Sequence, residues 1–342
     1  MTLRLALWAG LTSVAASVVL MSLILAMRGL LLVRARRQSR FLAVWRPLLA
    51  ECLLGMPSSV PLVPPGEASA FFSLWNYVRE SIRGEAQARL NQVARQAGAD
   101  RLATRLMQHG RVDERLLAIA TLGSLGEKSA WPALSRIAGE EHPILSLAAA
   151  HALMQIDPEG SAGLVITAVL SRPDWPVSKI AAILKEAGPD AISRPLVHAL
   201  WEADDTKAPL LLRLLKLAHY SLAAPTIRRR LCETASPEVI CACLNLLEDP
   251  AELETVCTFA AHPAWAVRVQ AVRALGRIGT QEVAPLLLRA MGDPEWWVRH
   301  RASEALIVVS GGSLPRQFLL QQAAPSERPA VRVRREPERL AA

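Results

Sequence analysis

Apolar residues recur at three- and four-residue spacing along most of this chain, the pattern of helices with one buried face. Val267, Ala271, Val272, Leu275 and Ile278 make one stripe, and Val283, Leu286, Leu287 and Ala290 make another after Gly279. Gly279 is read as a helix stop in the left-handed conformation that glycine tolerates. Arg268, Arg273 and Arg277 fall off the apolar face. The pattern then returns: His262-Pro263-Ala264-Trp265-Ala266-Val267-Arg268 is echoed 31 positions on by Asp293-Pro294-Glu295-Trp296-Trp297-Val298-Arg299. Proline suits the first position of a helix, where its missing N–H removes no bond, and the Asp293 carboxylate can accept from the unpaired N–H groups of that turn. A period of this length predicts stacked pairs of short helices, none of which can bury its face alone.

Upstream the period continues less clearly. Ser236-Pro237, Asp205, Asp174, His142-Pro143 and Arg111 open earlier units at intervals of 26 to 32 residues. Within them stripes such as Leu116, Ile119, Leu122 and Leu125, or Leu211, Leu214 and Leu215, keep the helical spacing. Residues 69–110 read as degenerate helices capping the array, and alternating β-branched runs are scarce, so the fold class is all-α. The Asp-Pro-x-x-x-Val-Arg opening, the Ala271–Gly279 run Ala-x-x-Ala-Leu-Gly-x-Ile-Gly and Val-Ala-Pro-Leu-Leu at 283–287 resemble HEAT repeats, of the short kind also called PBS-lyase HEAT-like. The resemblance is close over 262–310, recognisable over 111–173 and weak over 174–261. It implies a right-handed α-solenoid of stacked helical hairpins. It also implies a role in binding more often than in chemistry, since such repeats serve scaffolds, adaptors and a few enzymes.

The front end reads differently. Residues 5–27 carry no charge, and 23 residues of helix span about 34 Å, enough for a hydrocarbon core of ~30 Å. This predicts one transmembrane helix ahead of the solenoid. Arg28, Arg34, Arg36, Arg37, Arg40 and Arg46 follow the span while Arg4 precedes it, so the positive-inside rule places the N-terminus outside and the repeats in the cytoplasm. Residues 29–55 admit two readings, an interfacial helix with Arg34, Arg36, Arg37, Arg40 and Trp45 at the membrane boundary, or a continuation of the anchor. Pro57, Pro61, Pro64, Pro65 and Gly66 then mark a semi-rigid linker. The expected organisation is an anchor at 1–33, a basic juxtamembrane helix and Pro-rich linker at 34–68, a repeat array at 69–323 and a basic disordered tail at 324–342.

Composition sharpens this picture without changing it. The formal charge of +8 sits largely in the juxtamembrane arginines and in the tail, so it does not single out nucleic acid. The bias toward arginine over lysine, with abundant alanine and leucine, fits a bacterial source, and with the anchor it predicts an inner-membrane location. Five cysteines, an odd number, fit free thiols in a reducing compartment, and Cys232, Cys241, Cys243 and Cys257 lack the paired spacing of a zinc site. None of the seven histidines is followed by glutamate, the pair that di-iron hydroxylases of this repeat class carry, and Glu140-Glu141-His142 has those residues in the wrong order. No phosphate loop or nucleophile motif appears.

These readings give a membrane-anchored scaffold or regulatory subunit with no cofactor and no metal. Its partner is a protein at the membrane, such as a glycosyltransferase. A HEAT-like lyase or hydroxylase is one alternative, and electrostatic binding of lipid or nucleic acid by the basic segments is another. The candidate partner-binding residues are Trp265, Trp296, Trp297, Arg268 and Arg299, with Trp175 near the same repeat position. An aromatic row flanked by arginines is one reading of them. Tryptophan packed against the preceding turn, with Arg268 and Arg299 bonded to the preceding repeat's Asp or helix-end carbonyls, is the other.

Overall fold

A computed structural model describes residues 2–311, with the side chains of 2–17, 19, 30–35, 37 and 38 outside that description. Every regular element among the described residues is helical, and the chain divides into two compact units, 1–157 and 158–342.

The first unit holds α1 (Thr2–Leu54), α2 (Ala68–Glu80), α3 (Glu85–Gln96), α4 (Ala99–His109), α5 (Val112–Leu125), α6 (Trp131–Ala138) and α7 (Pro143–Ile156). Phe41, Trp45, Leu49 and Cys52 fall on one face of α1 and are buried with Phe71, Phe72 and Trp75 of α2. Trp45 is 3% exposed, and its ring meets Phe71 edge-on at 4.7 Å. Each such side chain removed from water contributes ~2–3 kcal/mol. Arg89 of α3 donates to the last carbonyls of α1, Cys52 at 2.8 Å and Leu53 at 3.1 Å, satisfying groups that a helix end leaves open. The proline-rich stretch is packed as well, since Val63 is buried and its N–H bonds the Ala97 carbonyl at 3.0 Å.

This arrangement corrects the reading of the N-terminal segment. Trp45, expected at a membrane boundary, is a core residue because its face of α1 is covered by α2. Arg36 and Arg40 are exposed, whereas the side chains of Arg34 and Arg37 lie outside the described residues. So do most side chains of the expected span at 5–27. Among the described residues no helix is long and apolar enough to cross a membrane, and this overturns the single-pass, inner-membrane location with its N-terminus outside. A glycosyltransferase-type partner was inferred from that location alone and loses its ground with it.

The second unit holds α8 (Pro158–Ser171), α9 (Val177–Ala187), α10 (Pro189–Glu202), α11 (Ala208–Leu215), α12 (Tyr220–Glu233), α13 (Pro237–Leu244), α14 (Leu253–Phe259), α15 (Trp265–Ile278), α16 (Ala284–Ala290) and α17 (Trp296–Val309). Here α11, α13, α15 and α17 stack in sequence on one side, while α8, α10 and α12 stack on another. Arginines tie successive layers: Arg277 of α15 donates to the carbonyls of Leu244 and Leu247 at 2.9 Å each, and Arg230 of α12 donates to that of Ala203. Tyr220 fastens α12 to the turn before α14, donating to Glu252 at 2.5 Å and accepting from the Glu248 and Asp249 amides. Burial, aided by that carboxylate, pushes its hydroxyl above the ordinary tyrosine range.

Gly279 departs from expectation. It ends α15 in extended geometry, φ −80° and ψ 157°, not in the left-handed region. Space is what excludes a side chain there, because a Cβ would run into the Leu275 carbonyl oxygen and lie 2.7 Å from Val283 Cγ2.

Candidate interaction surfaces

The repeated openings at 262 and 293 fold alike. α15 starts at Trp265 and α17 at Trp296, so Pro263 and Pro294 precede the capping residues Ala264 and Glu295 instead of filling the first helical position. His262 Nδ1 accepts the Ala264 N–H at 3.1 Å, and Asp293 Oδ1 accepts the Glu295 N–H at 2.8 Å. Arg268 Nη1 donates to the carbonyls of His262 and Pro263 at 2.9 and 3.0 Å, and Arg299 Nη1 donates to those of Asp293 and Pro294 at 2.8 and 2.9 Å.

The two arginines then diverge. Arg268 turns its other edge to Asp293 of the following repeat, with Nε–Oδ2 at 2.7 Å and Nη2–Oδ1 at 2.9 Å. Such a fork-to-carboxylate pair is strong and directional. Burial works against ionisation of Asp293, yet the Arg268 and Glu295 hydrogen bonds outweigh it and hold the carboxyl below its ordinary value. Among the described residues Arg299 has no carboxylate on the matching edge. Arg268 is therefore a coupling between repeats, made to the following unit and not the preceding one.

The tryptophans also divide. Trp175 is buried, with Arg172 over its ring at 5.5 Å. Trp296 is partly covered, edge-on to Trp297 at 4.4 Å and stacked on His300 at 5.1 Å. Trp265 and Trp297 are 47% and 49% exposed. The rim thus combines packing residues with two open indoles.

A second surface lies where the repeat motif offers no signal. Arg194, His198, Trp201 and Glu202 stand at helical spacing along the outer ridge of α10, and all four are exposed. On one side of the ridge a groove of about 440 Å³ is lined by Gly163, Ile166, Thr167, Pro195, Ala199 and Lys207, among others. On the other a groove of about 500 Å³ is lined by Arg194, Val197, Trp201 and Leu222. Trp201 is 57% exposed even though the Arg229 guanidinium sits over its ring at 3.5 Å. Arg229 is itself fixed by Glu233, Nε–Oε1 2.7 Å, so the indole is held in place from below. Two local features shape the space. Pro195 and Pro225 lie inside α10 and α12, where neither can donate to the carbonyl four residues back. At Gly163 of α8 a Cβ would meet nothing within 4 Å. Sequence reading passed over Trp201 because it has no counterpart 31 residues away. The prolines interior to two adjacent helices were the available signal.

The remaining candidates have structural roles. His142 caps α7, its Nδ1 accepting the Leu145 N–H at 3.4 Å, and Glu140 pairs with Arg115 at 3.2 Å. Cys243 is buried, and desolvation pushes its thiol up to about 12, while Cys232 is exposed. Among the described residues no group of three or more His, Cys, Asp or Glu side chains could hold a metal ion.

With the geometry in place, comparison with protein families gives the class. The model of HEAT repeats matches residues 99–185, 224–307 and 253–332, more than half of the chain, and the chain belongs to the HEAT-repeat family. The match begins ahead of Arg111, taking in α4, and runs past the expected array boundary at 323. Residues 186–223, which include α10 and Trp201, lie outside the matched ranges. A search of curated proteins finds no match.

Proposed function

We propose that this chain is a protein-binding scaffold that docks a partner on the α8–α10–α12 face and does not itself catalyse a reaction. HEAT repeats generally mediate protein–protein interaction, and that much holds for this chain by family. The observation that carries the finer reading is Trp201, an exposed indole immobilised by Arg229 and flanked by two open grooves. Binding energy at protein interfaces concentrates in such aromatic and arginine anchors. An anchor already held in place loses little conformational freedom on binding. The rim indoles Trp265 and Trp297 offer a second, smaller contact.

Affinity isolation with the full chain as bait tests the reading. The expected result is a reproducible protein partner, depleted by Trp201→Ala more than by Trp265→Ala. A bait that repeatedly isolates no protein above background would refute the scaffold reading.

A further inference from the structure

The outer ridge of α10 carries opposite charges in a symmetric order. Arg194 and Glu202 stand four residues either side of His198, and all three side chains are exposed. Positions four apart lie on neighbouring turns of one face, so cation and carboxylate sit about 12 Å apart along the ridge. The fold uses neither of them fully. Among the described residues no carboxylate pairs with Arg194, and Glu202, its side chain 68% exposed, has only the His198 ring at 3.8 Å. Trp201 rises on the same flank as Arg194, Val197 and Leu222, beside the groove of about 500 Å³. We infer that this face binds a second copy of the chain. In that pair α10 packs antiparallel on α10 about a two-fold axis at His198. Arg194 of each copy meets Glu202 of the other, and each Trp201 enters the other's groove over Val197 and Leu222.

What selects a second copy is the mixed sign of the face. Glu202 borders both grooves beside α10, so a partner that brings only carboxylates or phosphates is repelled there. A partner that brings only cations meets Arg194 instead. The occupant must present a carboxylate and a cation about 12 Å apart in the reverse order, beside an apolar flank that takes an indole. The same ridge turned end for end supplies all of this, because the two-fold sets each position 194 opposite a position 202. The rotation also keeps each flank on its own side, so Trp201 comes against the Val197 and Leu222 of the other copy. The commonest helix crossing, near −50°, lays the four-residue rows of two helices parallel, and 194, 198 and 202 form such a row. Arg229 and Glu233, paired at 2.7 Å, hold the indole without adding net charge. A contact centred on one 14-residue helix is at the small end of specific interfaces, so the association is expected at roughly micromolar concentration.

The inference rests on the scaffold reading's choice of the α8–α10–α12 face, and the two can fail separately. Sedimentation equilibrium of the full chain over about 1–100 μM should show monomer and dimer in exchange. The dissociation constant should rise at least about tenfold in Trp201→Ala, with circular dichroism unchanged. Arg194→Glu and Glu202→Arg should each weaken the dimer, since each sets like charges opposite one another. Mixed in equal amounts, the two variants should dimerise again, because one copy then brings two carboxylates and the other two cations. A variant that had lost its fold could not give that recovery. A chain that stays monomeric over this range, a dimer equally strong in Trp201→Ala, or a mixture no stronger than its components would each overturn the inference. A monomeric wild type whose bait isolates a different protein, lost with Trp201→Ala, would leave the scaffold standing and exclude the second copy as occupant. The expected dimer from a bait that isolates no other protein would uphold this inference and sink the scaffold reading.

Discussion

The rim at 262–299 and the ridge of α10 both carry tryptophan and arginine, and they use them in opposite ways. On the rim Arg268 is spent on two carbonyls and on Asp293, and Trp296 is packed between Trp297 and His300. On the ridge Arg229 holds Trp201 outward, and Arg194 meets no carboxylate among the described residues. A conspicuous motif can thus be conspicuous because each repeat must make the same packing contacts. Repetition alone does not sort packing from open surface, since Trp265 on the rim is exposed as Trp201 is.

The largest expected effect separates two tryptophans of neighbouring position. Trp175 is 2% exposed and Trp201 is 57% exposed. Trp175→Ala should cost about 3–5 kcal/mol, through lost burial and the cavity left behind, whereas Trp201→Ala should cost less than ~1 kcal/mol. Urea denaturation of the two variants measures both. Similar midpoints would mean that Trp201 belongs to the core and that the contrast drawn above is wrong.

Two glycines sharpen the comparison next. A Cβ on Gly276 of α15 would lie 2.6 Å from Ala305 Cβ and 2.9 Å from its Cα, so α15 and α17 approach too closely to admit one. Gly276→Ala should destabilise by about 2–3 kcal/mol. Gly163→Ala, in open space on α8, should stabilise by about 0.5–1 kcal/mol, because alanine orders more readily in a helix. Opposite signs in the same urea titration are the expected outcome, and a neutral Gly276→Ala would show that the stack can open at this point.

How much of this was legible beforehand follows from the same physics. Stripes such as Val267, Ala271, Val272 and Leu275 are buried as their spacing demands, because a helix in a stack has one inward face wherever it lies. The unit openings at Arg111, His142 and Ser236 are capping residues of α5, α7 and α13, since caps are local chemistry. Trp45 was misread for the converse reason: a tryptophan among arginines looks alike at a lipid boundary or in a core until α2 is known to cover it. Of the site, the rim residues were visible through repetition, but the partner of Arg268 was not, because it lies 25 residues ahead in the next layer. Trp201 has no counterpart one period away, and Pro195 and Pro225 marked its surroundings only indirectly, before α8, α10 and α12 stood side by side.

Arg268 and Arg299 test the rim itself. Removing Arg268 leaves the Asp293 carboxylate, 11% exposed, without its main partner, and should cost about 2–3 kcal/mol. Removing Arg299 forfeits its bonds to the Asp293 and Pro294 carbonyls and a weak attraction to the Asp293 carboxylate, and should cost about 1 kcal/mol. Equal losses on alanine substitution, read from thermal unfolding, would mean that the fork on Asp293 adds nothing to the shared anchor.

The smallest effect is a dependence on pH, and its sign is fixed by the direction of one shift. Asp293 is held below its ordinary carboxyl value in the folded chain, so the folded state binds its proton less readily than the unfolded state does. The stability it contributes is then fully present above the unfolded value of about 3.9 and is lost as the pH falls through the lower, folded value. Asp293→Asn removes the charge and keeps the shape. Its stability deficit relative to wild type should be constant at neutral pH and should shrink on acidification below about pH 4. A deficit that stays the same from neutral pH to pH 2 would mean that Arg268 gains nothing from the carboxylate's charge, and the coupling between the repeats that open at His262 and Asp293 would then rest on shape alone.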